Sequence, residues 1–182
     1  MRLVINQNMT LDGAVEMLDD WFDPGDQDPE MVALLQEHDR RCDGVLLGRQ
    51  TFLDFRGYWP QQTDDASGSA AFLDAVEKYV VTTTLTDPEW QNTTLLAGDP
   101  VDEVRRLKEL PGGELLLTGS ITLAHTLIAA GLADEFRQIV FPAVQGRGRR
   151  FFPDGYVVPR LERVGAAAFS SGISYAAYVP AP

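Results

Sequence analysis

Short apolar runs alternate with helix-like segments along most of this 182-residue chain. The strand-like runs are RLVINQNM (2–9), GVLLGR (44–49), KYVVTTTL (78–85), ELLLTG (114–119) and DEFRQIVFPAV (134–144). Several are continuous stretches of Val, Ile and Leu, which is typical of strands buried on both faces. Parallel neighbours need crossover connections, and the helix-like segments between the runs can provide them. The alternation therefore predicts an α/β fold with a mixed, mostly parallel central sheet flanked by helices on both faces.

The first residues of two helices can be predicted from the sequence. Asp28-Pro29 and Asp99-Pro100 each combine a capping side chain with a proline suited to the first helical turn. A third helix, SITLAHTLIAAG (120–131), ends at a glycine. Near the carboxyl terminus, two strand-like runs flank Ser170-Ser171-Gly172 and predict an antiparallel hairpin.

Composition narrows the class of protein. The net charge of −12 argues against a nucleic-acid partner, which usually calls for a basic surface. No run of about twenty apolar residues is present to span a membrane. Cys42 is the single cysteine, which excludes an internal disulfide and predicts no metal site and a cytoplasmic protein. We expect one domain over residues 1–182, with a flexible loop at 56–69 that is rich in polar residues, Gly and Pro.

Small and hydroxylated residues follow three of the predicted strands. Gly48, Arg49 and Thr51 come after GVLL, Thr82 and Thr83 come after YVV, and Gly119, Ser120 and Thr122 come after ELLL. The carboxyl ends of parallel strands are where ligands settle, and a helix N-terminus there favours an anion. Packing glycines and ordinary strand threonines are the alternative interpretation of each group taken singly.

The sequence offers less support for other kinds of binding or catalytic site. No GxGxxG follows a strand, so a dinucleotide would not bind in the Rossmann manner. His38 and His125 are the only histidines, and we interpret both as structural or surface residues. Asp12, in NMTLDG, is either a turn residue or an acid that faces a substrate above the sheet. The arginine-rich GRGRR (146–150) is either a solvated loop or part of an anion site.

Five segments occur in the order of a known superfamily. They are LDG (11–13), LLGRQTF (46–52), YVVTTTL (79–85), LLLTGSITLAHTLIAAGLADE (115–135) and FPAVQGRGRRFF (141–152). Over about residues 2–179 the chain resembles the dihydrofolate-reductase-like superfamily. Within it, the chain is most similar to the carboxy-terminal reductase domain of the riboflavin-biosynthesis deaminase-reductase (RibD) and its stand-alone bacterial relatives.

The resemblance implies NADPH as cofactor, a small-molecule substrate and a homodimer. It implies a catalytic position for Asp12, beside the nicotinamide and the substrate. The cofactor-binding residues that it implies are Gly48, Arg49, Thr51, Thr82, Thr83, Gly119, Ser120, Ile121 and Thr122, the last four at the pyrophosphate.

Two functions are compatible with this sequence. The first is an NADPH-dependent reductase of a small heterocyclic or ribityl/ribosyl-pyrimidine substrate, similar to 5-amino-6-(5-phosphoribosylamino)uracil reductase. By this resemblance, Val32 matches the position where dihydrofolate reductases carry a pterin-binding carboxylate, with Glu30 and Glu37 as imperfect substitutes, so dihydrofolate is not the expected substrate. Arg56 and the arginines at 147–150 are candidates for a substrate phosphate. The second function is a non-catalytic nucleotide-binding module on the same fold.

Five aromatic side chains are candidates for the wall of the substrate site. Trp21, Phe22, Phe55, Tyr58 and Trp59 could wall the substrate side of the site, or each could belong to the ordinary core.

Overall fold

The computed structural model describes residues 1–23, 28–158 and 160–181. Within these residues eight strands form one sheet, in the order β4-β3-β2-β5-β1-β6-β8-β7. The strands are β1 (Arg2–Thr10), β2 (Cys42–Gly48), β3 (Glu77–Val81), β4 (Thr93–Leu96), β5 (Glu114–Thr118), β6 (Glu135–Phe141), β7 (Leu161–Ala168) and β8 (Ser174–Pro180). The first six strands of that spatial order pair in parallel, whereas β8 and β7 pair antiparallel to their neighbours. The predicted α/β fold and the closing antiparallel pair are confirmed.

Helices cover the two faces of the sheet. They are α1 (Pro29–Asp39), α2 (Arg49–Tyr58), α3 (Ser69–Ala75), α4 (Pro100–Glu109) and α5 (Ile121–Ala129), with a short 3-10 helix at Trp59–Gln61. Leu46 packs in the core cluster that contains α4 and α5, whereas its neighbours Val45 and Leu47 pack with α2 and α3. Because successive strand residues point to opposite faces, these two helix groups lie on opposite sides of the sheet. Among the described residues, no helix is both long enough and apolar enough to cross a bilayer.

The helices differ in how they begin. Asp28 caps α1 by accepting from the amides of Glu30 and Met31, and Asp99 caps α4 in the same way. By contrast, α2 and α5 start immediately beyond β2 and β5 and have no side-chain cap. A helix without such a cap leaves its first amides open to another acceptor.

The structure departs from the sequence predictions in three segments. The expected flexible loop at 56–69 is wrong for its first half, because α2 continues to Tyr58 and Trp59–Gln61 is helical. Edge-to-face contacts of Trp59 with Tyr58 and Phe55 accompany this helical structure. The strand expected over 78–85 ends at Val81, and the short strand β4 was not predicted.

A buried ion-pair network in the sheet lies beside His38 of α1. Arg137 on β6 is 2% exposed and forms ion pairs with Glu114 at 2.8 Å and Glu135 at 2.6 Å. Its charge also acts on His38 of α1, whose ring packs against that of Tyr175 on β8. Burial, followed by the positive charges of Arg137 and Arg41, lowers the pKa of His38 from 6.5 to about 4. A protonated His38 would place a cation beside an existing buried cation.

His38 should therefore make folding stability pH-dependent. In the unfolded chain His38 is protonated below about pH 6.5, whereas in the folded protein it stays neutral down to about pH 4. The free energy of unfolding therefore decreases as the pH falls from 6.5 to 4. The full effect on the free energy of unfolding is roughly 3 kcal/mol. Urea denaturation from pH 7 to pH 4 should show that His38→Gln loses less stability than the wild type. The control His125→Gln should follow the wild type; parallel curves for His38→Gln and wild type would contradict this assignment.

Candidate functional site

A cavity of about 860 Å³ opens on the face of the sheet that carries α1, α2 and α3. Its floor is formed by Asn6 and Asn8 of β1 and Thr118 of β5. Met31, Leu35 and Asp39 of α1 line one side, and Thr51 and Phe55 of α2 and Phe72 of α3 line the other. One end reaches the carboxyl ends of β2 and β5, a position where parallel sheets bind ligands. The volume lies within the range of small-molecule sites, about 300–1,000 Å³.

Two strand-to-helix turns meet at that end of the cavity. The amide of Gly48 donates to Ser120 Oγ at 2.9 Å, and the amide of Ser120 donates to Thr51 Oγ1 at 3.0 Å. These two hydrogen bonds join the turn between β2 and α2 to the turn between β5 and α5. The N-termini of the two helices are therefore held side by side.

Gly119 is required by the backbone at this junction. Its φ is +57°, in the left-handed region that glycine adopts most easily, and Ser120 follows with φ 42°. Gln7 of β1 donates through Nε2 to the Gly119 carbonyl at 2.6 Å, which holds the turn against the sheet. A Cβ on residue 119 would lie only 2.9 Å from Thr51 Cγ2. The close approach of the two turns thus depends on the absence of a side chain here.

The electrostatics of this end favour an anion. The open amides at the starts of α2 and α5, 49–51 and 121–123, lie at the positive ends of two helix dipoles. Arg49 is exposed, lines the cavity and forms no ion pair with any described residue. Arg149 also lines it, donating to Thr122 Oγ1 at 3.1 Å and to Glu16 at 2.7 Å. Of the predicted cofactor residues, the cavity brings together Gly48, Arg49, Thr51, Gly119, Ser120, Ile121 and Thr122.

Thr82 and Thr83 lie outside the cavity lining. The buried Thr82 hydroxyl accepts from the amides of Thr84 at 3.2 Å and Leu85 at 3.0 Å, which turns the chain after β3. Thr83 is exposed. A cofactor contact at these two residues stays a prediction.

Asp12 is also absent from the cavity lining. Its carboxylate accepts from Thr10 Oγ1 at 2.5 Å, from the Gly146 amide at 2.7 Å and from the Gln145 amide at 3.2 Å. These hydrogen bonds, the Thr10 hydroxyl first, lower its pKa to about 2. Asp12 thus connects the end of β1 to the arginine-rich turn at 146–150. Because its carboxyl is ionised at neutral pH, it has no proton to donate there. A catalytic role for it stays a prediction.

The arginines proposed for a substrate phosphate are held by other groups. Arg56 donates to the Pro88 carbonyl at 3.0 Å and pairs with Glu89, and Arg147 pairs with Asp19 at 2.6 Å. Arg150 donates to the main-chain carbonyl of Asp12. Of the candidates Arg56 and 147–150, only Arg149 lines the cavity, near the start of α5.

Several lining residues were not found from the sequence. Asn6 and Asn8 occupy alternate positions of a central strand, and polar residues there are a sign of a cavity over that face. Asp39 continues the four-residue spacing of Met31 and Leu35 along α1, which places a carboxyl on the inward-facing stripe of the helix. Of the predicted aromatic wall, Phe22, Phe55 and Trp59 line the cavity, whereas Trp21 packs on Phe141 and Tyr58 is exposed.

Comparison with known families agrees with this architecture. The model of the RibD C-terminal domain matches residues 2–175. The chain belongs to the RibD C-terminal domain family. A relative in this comparison, the uncharacterized protein YyaP of Bacillus subtilis (strain 168), is 31% identical over 180 residues, covering 97% of this chain and 94% of YyaP.

Solved structures share the fold of this RibD C-terminal domain. A candidate riboflavin biosynthesis protein from Shewanella sp. PV-4 superposes with a TM-score of 0.73 at 20% identity, over 100% of both chains. A pyrimidine reductase-like protein from Corynebacterium diphtheriae gives 0.70 at 10% identity, over 100% of this chain and 92% of that one. The dihydrofolate reductase of Enterococcus faecalis, solved with NADP(H) and RAB-propyl, gives 0.64 at 16% identity, over 100% and 97%. The fold of the RibD C-terminal domain family is thus shared with reductases.

The junction of the two turns makes a stability prediction. Gly119→Ala should lower the free energy of unfolding by about 1–2 kcal/mol for the left-handed backbone and by a further ~1 kcal/mol for the contact with Thr51. The matched control is Gly131→Ala, where φ is +67° and no atom lies within 4 Å of the added Cβ. Adding Thr51→Ser, which removes Cγ2 and keeps the hydroxyl, should recover only the contact part. Urea denaturation tests this, and equal losses for Gly119→Ala and Gly131→Ala would contradict it.

Proposed function

We propose that this protein is an NADPH-dependent reductase of a small heterocyclic acceptor. The observation that carries the proposal is the pair of uncapped helix N-termini at Gly48–Arg49 and Ser120–Ile121, beside a turn where a side chain would collide. The absence of a side chain at Gly119 lets the two helix starts lie side by side, and their open main-chain amides suit a pyrophosphate. The residues at this end of the cavity therefore fit a dinucleotide, although the chain has no Rossmann-type glycine fingerprint after a strand.

Each part of the cofactor has residues that suit it. The amides at 121–123 and the Thr122 hydroxyl would hold the pyrophosphate. Arg49, which forms no ion pair with a described residue, would bind the 2′-phosphate that distinguishes NADPH from NADH. The chemistry that NADPH supplies when bound is hydride donation.

The protein's own contribution is position and environment. Asn6 and Asn8 offer amide groups on the floor of the cavity, where they can orient polar edges of bound rings. Phe22, Phe55 and Trp59 give the walls apolar surface that excludes water from the reacting groups. Holding donor and acceptor in contact is the main source of rate enhancement expected from such a site.

The reductase proposal is tested by oxidation of NADPH. The purified protein should consume NADPH absorbance with at least one member of a panel of pterins, pyrimidines and quinones. Tight binding of NADPH with no acceptor reduced would instead favour the non-catalytic nucleotide-binding module. Absence of NADPH binding in calorimetry would overturn both functions.

Arg49 should control the choice between the two pyridine nucleotides. Arg49→Ala should weaken NADPH binding about tenfold and leave NADH binding nearly unchanged, since only NADPH carries the 2′-phosphate. Arg163→Ala on the edge strand β7 removes the same charge far from the cavity and serves as control. Calorimetry with both nucleotides makes the comparison. An equal loss of affinity for NADPH and NADH would contradict a contact between Arg49 and the 2′-phosphate.

Self-association and a cytoplasmic location also stay predictions of the sequence. Light scattering would decide the first, and a homodimer is the expected result.

A further inference from the structure

Arg149 is shared between two groups at the edge of the cavity. Its Nε and Nη2 atoms donate to Glu16 Oε1 at 3.0 and 2.7 Å, and its Nη1 donates to Thr122 Oγ1 at 3.1 Å. The other carboxylate oxygen, Glu16 Oε2, accepts from the Arg149 amide at 3.2 Å. All three residues line the cavity. One arginine therefore connects a carboxylate to the first turn of α5.

Glu16 reduces the positive charge at the end of the cavity where α5 begins. Among the described lining residues, Arg49 and Arg149 are the basic side chains. Glu16 neutralises Arg149, and the hydrogen bonds from Arg149 lower the pKa of Glu16 in return. The carboxylate is thus ionised at neutral pH. An anion at this end would meet one unpaired guanidinium and one that is already occupied.

The Glu16–Arg149 ion pair can separate while the main chain around it stays in place. The amide of Val15 donates to the Arg149 carbonyl at 2.9 Å, and Ala14 and Arg150 form a β-bridge. These main-chain contacts join the two segments whether or not the two side chains are paired. The Arg149 side chain is 47% exposed and that of Glu16 is 29% exposed, so neither is locked in a packed core.

We propose that Glu16 competes with the coenzyme for Arg149: the carboxylate holds the guanidinium in the absence of coenzyme, and Arg149 turns to the pyrophosphate when a dinucleotide binds. The inference rests on the proposed function, which puts that pyrophosphate at the start of α5. Arginine binds phosphate through the same fork of N–H groups that it offers to a carboxylate, so the two anions exclude each other on one edge of the guanidinium. The Thr122 hydroxyl only accepts from Arg149 and keeps its own hydrogen for an anion. The exchange lowers the affinity for every dinucleotide by the free energy of the Glu16–Arg149 pair.

Calorimetry with NADP⁺ and NAD⁺ tests the competition. Glu16→Gln keeps the shape of the side chain and removes its charge, so it should bind both nucleotides about two- to fivefold more tightly than the wild type. Arg149→Ala should weaken both by about tenfold, because the pyrophosphate is common to the two nucleotides. The matched control is Asp19→Asn, since Asp19 pairs with Arg147 of the same turn at 2.6 Å and neither residue lines the cavity. This control should bind both nucleotides as the wild type does.

An NMR signal distinguishes competition from simple support of Arg149 by Glu16. The Nε–H group of Arg149 donates to Glu16 in this structure, and its signal is the one that Arg149→Ala removes. Saturation with NADP⁺ should shift this signal, because the group changes its acceptor. A signal that keeps its position would show that the ion pair persists in the complex, and the competition would then be wrong.

Three calorimetric results would also overturn the inference. They are unchanged or weaker binding by Glu16→Gln, an equal gain in Asp19→Asn, and a gain for NADP⁺ alone, which would put the competition at the 2′-phosphate. If neither nucleotide binds the wild type, the proposed function fails. Inorganic pyrophosphate, titrated into the wild type and Glu16→Gln, then decides the competition by itself. Tighter binding by Glu16→Gln supports it, and equal affinity or no binding rejects it.

Discussion

The site depends on the adjacency of β2 and β5 at the middle of the sheet. Because these strands are parallel neighbours, the helices that follow them start side by side, and two hydrogen bonds through Ser120 join their first turns. Gly119 makes the approach possible, since a side chain there would strike Thr51. The strand order thus places the open amides of two helix N-termini together at one end of the cavity. The helices capped by aspartates, α1 and α4, have no comparable open terminus.

The basic side chains of the cavity lie at one end of it. Arg49 and Arg149 line the cavity where α2 and α5 begin, beside the open amides of those helices. Phe22, Phe55 and Trp59 add apolar surface to the lining. The arginine-rich turn at 146–150 contributes mainly to the architecture, since Arg147 and Arg150 hold Asp19 and the main chain of Asp12.

The fold could be predicted further than the site. Continuous apolar runs such as ELLLTG and the Asp-Pro helix starts depend on local sequence, and the structure bears them out. The short strand β4 has four residues and a weak pattern, so its pairing with β3 decided its conformation. Glycine and hydroxyl residues at strand ends predicted a group of residues that the cavity brings together where α2 and α5 begin, and anion binding there stays a prediction. Asp39 could not be placed in the cavity in this way, because its position depends on how α1 packs over the sheet.

The most direct test of the account is an amide NMR titration with NADP⁺. Saturable shifts should concentrate at residues 49–51 and 119–123, at the starts of α2 and α5. The first-turn amides of α1 and α4, which already donate to Asp28 and Asp99, should move far less. Shifts of equal size at all four helix starts, or no saturable shift at 119–123, would contradict the claim that these paired helix termini bind the coenzyme.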